Sequence, residues 1–107
     1  MTSFVTGATG FIGQRLLVRL KEKGIKFKIL SRNTQPDYET VVCDLQYEKI
    51  PDDSLKEVDT VFHLAGFAHD LRNATQKEHI YRQVNVDSTV RLAKLAVASG
   101  VKNFVFV

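Results

Sequence analysis

The stretch Thr6-Gly7-Ala8-Thr9-Gly10-Phe11-Ile12-Gly13 constrains this chain more than any other. The short apolar run Ser3-Phe4-Val5 before it reads as a strand, and Gln14 to Lys23 after it reads as an amphipathic helix. A strand, a glycine turn and a helix in that order leave unpaired backbone N–H groups and a partial positive charge at the helix start. An anion sits there without a dedicated side chain. Gly7 lets the chain leave the strand in a tight turn. Gly10 withholds a Cβ from the face a pyrophosphate would approach, and Gly13 lets the helix pack close to the sheet.

The spacing is G-x-x-G-x-x-G rather than the G-x-G-x-x-G of the standard dinucleotide fingerprint. A bare glycine triplet also occurs in ordinary strand-to-helix turns that hold no ligand. Here the strand, the helix and the small residues Thr6, Ala8 and Thr9 supply the context that the motif requires.

With 107 residues, 44% of them hydrophobic, the chain supports one domain and one core. No apolar run approaches the roughly 20 residues that span a bilayer, and no membrane partner is expected. The N-terminus carries no basic or apolar leader pattern. A single cysteine, Cys43, excludes an internal disulfide framework and fits a reducing cytoplasm. Its neighbours Val41 and Val42 point to a buried, inert thiol. The net charge is +3, and the basic residues, Arg15, Arg19, Lys21, Lys23, Lys26 and Lys28 among them, are spread through helices and loops rather than interleaved with aromatics. That pattern reads as a solvated basic face, with no nucleic-acid partner expected.

In the first helix Ile12, Leu16 and Leu20 fall four apart on one face with Leu17 beside them, and Gly24 marks its end. Ile25 to Leu30 reads as a second strand, parallel to the first through a right-handed crossover. At the end of such a strand an acid bonds the ribose 2′-hydroxyl of NAD, whereas an arginine pairs with the 2′-phosphate of NADP. The chain has Ser31-Arg32 and no acid until Asp37. Arg32 therefore reads as a bidentate clamp, against a plain loop cation, so NADP is favoured and NAD stays open.

Thr40 to Cys43 reads as a short third strand closed by Asp44-Leu45. Asp44 is placed to accept a hydrogen bond from an adenine amino group, and equally to serve as a turn or helix-capping residue. Gln46 to Lys56 reads as a turn followed by one short helix. Val58 to Leu64 reads as a fourth strand running into Ala65-Gly66, small residues that admit a nicotinamide ribose beyond the strand's carboxyl end. His63 and His69 flank that point without partners at ligand spacing, so no metal site is expected. His63 reads as structural and His69 as a loop residue. A long helix over about Thr75 to Ser99 carries Asn85 on its apolar face, where the amide needs a partner. A fifth strand, Phe104 to Val107, follows.

Four separated pieces now agree: Thr6 to Gly13, Cys43-Asp44-Leu45, Phe62-His63-Leu64-Ala65-Gly66, and Val84-Asn85-Val86-Asp87-Ser88-Thr89. In that order they resemble the extended short-chain dehydrogenase/reductase family, the NAD(P)-dependent epimerases, dehydratases and reductases that act largely on nucleotide sugars. The resemblance implies that Gly7, Gly10, Phe11, Ile12 and Gly13 form the pyrophosphate loop. It implies that Arg32 selects the cofactor, Asp44-Leu45 contact adenine, and Leu64-Ala65-Gly66 line the nicotinamide ribose. Asn85 matches the family's asparagine in the helix after the fourth strand. The segment from His63 to His69 is similar to bacterial surface-polysaccharide enzymes, UDP-N-acetylglucosamine 4-epimerase-like proteins and 4-keto-sugar reductases.

The implied fold is α/β, a Rossmann-like doubly wound parallel sheet of strand order 3-2-1-4-5, truncated after the fifth strand. The family's tyrosine with a lysine four residues later has no counterpart here. Four residues beyond Tyr38, Tyr47 and Tyr81 stand Val42, Pro51 and Asn85. Residues 1–107 thus read as the N-terminal part of an NAD(P)-binding domain, with the catalytic segment and substrate domain absent and no turnover of its own. The expected partners are a dinucleotide and, in a full-length parent, a nucleotide-sugar substrate. A homo-oligomer is expected through the exposed sheet edge or apolar face. A non-catalytic NAD(P)-sensing module of the same fold is the competing reading, and an inert half sheet the third.

Overall fold

The computed structural model describes residues 1–45, 47–64 and 74–107, with side chains left out for 74–85. Ala65, Gly66, His69 and the side chain of Asn85 lie outside the described residues. The chain runs β1 (Thr2–Thr6), α1 (Phe11–Glu22), β2 (Lys26–Ser31), β3 (Thr40–Val42), β4 (Thr60–His63), α2 (Ala74–Ala98) and β5 (Asn103–Phe106). The five strands form one sheet in the order β3-β2-β1-β4-β5, and every pair is parallel. This is the Rossmann-like architecture and strand order expected from the sequence.

Period-two alternation along the strands divides the core between the two faces of the sheet. Val5 and Ile29 point to the face covered by α1, where they pack with Ala8, Leu17 and Leu20. Phe4, Leu30 and Val61 point the other way, to Leu92 and Ala96 of α2. Covering both faces is what allows strands of an all-parallel sheet to be apolar on both sides.

Two local readings are corrected. The spacing of Ile12 from Leu16 and Leu20 predicts a buried side chain, but Ile12 is 59% exposed and the helix buries Gly13, Leu17 and Leu20 instead. Helix α1 begins at Phe11, earlier than Gln14, so Ile12 sits in the first turn, beyond the sheet surface. The segment between Asp44 and Val58 forms no helix among its described residues. It runs as successive turns, with the N–H groups of Ser54, Lys56 and Val58 donating to carbonyls three residues back. The cause is the apolar spacing. Leu45, Ile50, Leu55 and Val58 all enter the core on the α2 side, and steps of five, five and three do not keep one face of a helix. Glu57 takes a left-handed backbone (φ 65°) to let Val58 do so.

Helices α1 and α2 end alike. Ile25 N–H donates to Leu20 O while Gly24 N–H donates to Lys21 O, and Val101 and Gly100 repeat the pattern on Ala96 and Val97. Both are Schellman closures, and they return the chain directly into β2 and β5.

Candidate dinucleotide site

Because the sheet is parallel, all strand exits face one edge. Across that edge stand Asp44 after β3, Arg32 after β2, the glycine turn after β1 and Leu64 after β4. Strand spacing puts the outer two about 14 Å apart. The structure thus aligns four of the sequence-chosen pieces along one line, with Ala65 and Gly66 next in sequence but outside the described residues.

The turn is built on backbone contacts. Gly7 has φ of 69°, a left-handed conformation that a side chain disfavours, and its carbonyl accepts the Gly10 N–H at 3.1 Å. Gly10 is the N-cap of α1 and offers no side-chain cap, and the first turn of the helix carries no acid. The positive end of α1 is therefore left without an internal anion. A Cβ on Gly13 would collide with the Gly7 carbonyl oxygen and with Ala8, so the helix start rests directly on the turn. A Cβ on Gly10 would lie 3.3 Å from the Gly7 oxygen, crowded but not excluded.

Phe11 is 74% exposed, with the Arg15 guanidinium 4.3 Å from its ring centroid. Phe11 and Ile12 thus form an apolar lip beside the turn, backed by a cation. Arg32 is exposed. The backbone of Asp44 starts a turn: its N–H donates to Glu48 Oε1 at 2.8 Å, and its carbonyl accepts Tyr47 and Glu48 N–H groups. Leu45 puts its side chain in the core, and its carbonyl accepts Ser88 Oγ at 3.1 Å and Arg91 Nη2 at 3.2 Å. Helix α2 thereby braces the β3 end of the edge.

His63 is fully buried, as a structural histidine should be. Its Nδ1 lies 2.7 Å from Thr6 Oγ1 and its Nε2 lies 2.9 Å from Thr89 Oγ1. Burial pushes the imidazole below its ordinary pKa, so the ring is neutral at pH 7. Cys43 is buried too; burial first, then the Glu48 and Asp44 carboxylates, push its thiol upward, which suits an inert role. Reasoning from the sequence missed Thr6, Ser88, Thr89 and Arg91 as parts of the site's support. Ser88-Thr89 stood within a quoted motif, but only the fold brings the pair beneath the strand exits. A groove of about 400 Å³ lined by Lys21, Phe27, Tyr38 and Glu39 lies at the opposite, amino end of β2. It shares no residue with the glycine turn.

A glycine turn at the exit of the central strand of a 3-2-1-4-5 parallel sheet, with an uncapped helix start behind it, defines a Rossmann-type dinucleotide-binding protein. The profile of the NAD dependent epimerase/dehydratase family matches residues 3–107, and this chain belongs to that family. It is 31% identical to a UDP-glucose 4-epimerase of Vibrio cholerae over 96% of its own length, and 32% identical to a 3-beta-hydroxysteroid dehydrogenase of Mycolicibacterium neoaurum over 95%. It spans about a third of each, 33% and 30%. Among solved structures, MoeE5 in complex with UDP-glucose and NAD superposes with a TM-score of 0.81 at 33% identity, covering 99% of this chain and 36% of that one. A short-chain dehydrogenase/reductase superfamily protein from Agrobacterium tumefaciens with bound NAD gives a TM-score of 0.82 at 28% identity, covering 99% and 32%.

Proposed function

We propose that this chain is the cofactor-binding part of an NAD(P)-dependent enzyme acting on nucleotide sugars, an epimerase, dehydratase or reductase. The observation that carries the reading is the glycine turn. Gly13 packs without space for a Cβ, and the start of α1 carries neither a cap nor an acid. The fit to a pyrophosphate follows: backbone N–H groups of Phe11, Ile12 and Gly13 would hold it, with Gly10 keeping the approach clear. Bound NAD(P) supplies a hydride donor or acceptor at its nicotinamide. This chain's own residues bind and orient. Arg32 meets the adenosine ribose, Asp44 the adenine, and the backbone after Leu64 the nicotinamide ribose.

Proton transfer to the substrate has no residue here, since no tyrosine is followed by a lysine four positions on. The chain alone is therefore a binding unit without turnover. The nucleotide-sugar assignment is supported by the identities to the UDP-glucose 4-epimerase and to MoeE5. The steroid relative is matched over a similar share of its length, 30%, which fits a portion that serves the cofactor rather than the substrate.

Titration of the chain with NADH and NADPH, read by nicotinamide fluorescence, tests the reading. Saturable binding that Gly10→Asp abolishes is the expected result, and absence of binding to either dinucleotide overturns it.

A further inference from the structure

We propose that His63 is the positioning residue that sets the gap between the two halves of the dinucleotide groove; this rests on the groove reading above. The ring sits one strand spacing from the glycine turn. Thr6 and His63 are register partners in β1 and β4, and each is the last residue of its strand. Thr6 leads directly into Gly7, the start of the pyrophosphate turn. His63 leads directly into Leu64, the start of the segment beside the nicotinamide ribose. Backbone pairing runs one bond further, the Leu64 N–H donating to the Thr6 carbonyl at 3.3 Å.

Side chains reinforce the ladder at this end. Thr6 Oγ1 accepts the Leu64 N–H at 3.1 Å and bonds His63 Nδ1 at 2.7 Å. The far ring nitrogen bonds Thr89 Oγ1 of α2 at 2.9 Å. The rings of Phe104 and Phe106 stand 6.1 Å and 5.5 Å from the imidazole, and Val107 N–H donates to the His63 carbonyl at 3.2 Å. The imidazole is thus held by β1, α2 and β5, with 1% of its surface exposed. A buried polar side chain bonded at both ends fixes one geometry, because any other leaves a donor or acceptor unsatisfied. His63 touches no ligand. It acts through Thr6 and Leu64, holding the start of the pyrophosphate turn and Leu64 in one fixed relation.

Two substitutions separate positioning from mere support. His63→Asn keeps a polar atom where Nδ1 stood and so retains the Thr6 end, whereas His63→Gln keeps one where Nε2 stood and retains the Thr89 end. NADH affinity and melting temperature are measured for both, and for Thr89→Val. All three are expected to melt lower than the unaltered chain. His63→Asn and Thr89→Val should hold NADH within about threefold, while His63→Gln loses about tenfold, the factor that accompanies one lost buried hydrogen bond. Affinity that simply follows melting temperature across the three, or that is equal in all, overturns the proposal. Should the variants not fold, amide exchange in the unaltered chain decides: NADH saturation is expected to slow exchange at Leu64, and unchanged exchange overturns the proposal. An unaltered chain that binds no dinucleotide removes the groove reading and this proposal together; binding without the Asn/Gln difference removes this proposal alone.

Discussion

Gly13, directly after the exposed pair of residues that opens α1, rests against the carbonyl oxygen of Gly7 with no space for a Cβ between them. A methyl group there would also come within 2.7 Å of Ala8 Cα. Both neighbours are backbone, so neither can swing aside. Gly13→Ala is expected to cost about 3 kcal/mol, near the upper end for overpacking. Gly10 differs, because its φ of −77° suits any residue and an added Cβ meets only one atom, at 3.3 Å. Gly10→Ala should melt close to the unaltered chain yet bind dinucleotide more weakly. Thermal melts paired with NADH titrations check both, and a Gly13→Ala chain as stable as its parent would contradict the packing argument.

The strands and the glycine turn were legible in the sequence because strong local signals carried them, apolar runs and glycines at a strand-to-helix boundary, whereas the order of the strands followed from the family resemblance. Arg32 and Asp44 were legible as site candidates because parallel topology sends every strand exit to the same edge, and Leu64 joined them only through the resemblance. Ile12 misled because its spacing from Leu16 and Leu20 is helical, while its place in the first turn lies beyond the sheet that would bury it. The turns between Asp44 and Val58 were hidden because their apolar residues are spaced for the sheet surface, not for a helix. The Thr6–His63–Thr89 connection joins residues 57 and 26 positions apart, and no local pattern encodes it.

His63 gives the fold a pH dependence with a definite sign. Burial lowers the folded-state pKa beneath the ordinary value of 6.5. Below 6.5 the unfolded chain binds a proton that the folded ring resists, so stability falls as pH drops from 6.5 toward the folded value. Above 6.5 both states are neutral and the contribution is complete. Urea denaturation between pH 5 and pH 8 should show this slope, and His63→Asn should flatten it. Equal slopes in the two chains would assign the dependence to other groups.

Ser54 is 4% exposed, and its hydroxyl has no hydrogen-bond partner among the described residues. It lies in the run of turns whose Leu55 and Val58 enter the core. Burying a hydroxyl without a partner costs about 1–3 kcal/mol, while alanine at this size leaves little void. Ser54→Ala should raise stability by about 1 kcal/mol, measured by urea denaturation; a loss would mean that the hydroxyl is satisfied in solution.

Strand β5 pairs with β4 on one side and with no described strand on the other. Phe106 is 65% exposed, and Val105 and Val107 beside it are exposed as well. An apolar edge of this kind recruits further backbone partners. Sedimentation at rising concentration should reveal self-association, which Phe106→Lys combined with Val107→Lys should suppress. A strictly monomeric parent chain would remove the expectation of a homo-oligomer through this edge.

The proposed role of Arg32, to select between the two dinucleotides, has a direct test. It is exposed one residue beyond β2, next to the glycine turn, with the first acid of the following loop not reached until Asp37. A guanidinium there pairs with a 2′-phosphate through charge-assisted bonds that NAD has no group to receive. The unaltered chain should therefore bind NADPH more tightly than NADH. Arg32→Asp should reverse the order, because a carboxylate repels the phosphate and accepts bonds from both ribose hydroxyls. Loss of one such charge-assisted pair corresponds to about tenfold or more in NADPH affinity. Parallel fluorescence titrations with the two reduced cofactors at fixed salt give the ratio directly. Equal affinities in the unaltered chain would reduce Arg32 to a solvated loop cation and leave cofactor choice to other residues of the edge.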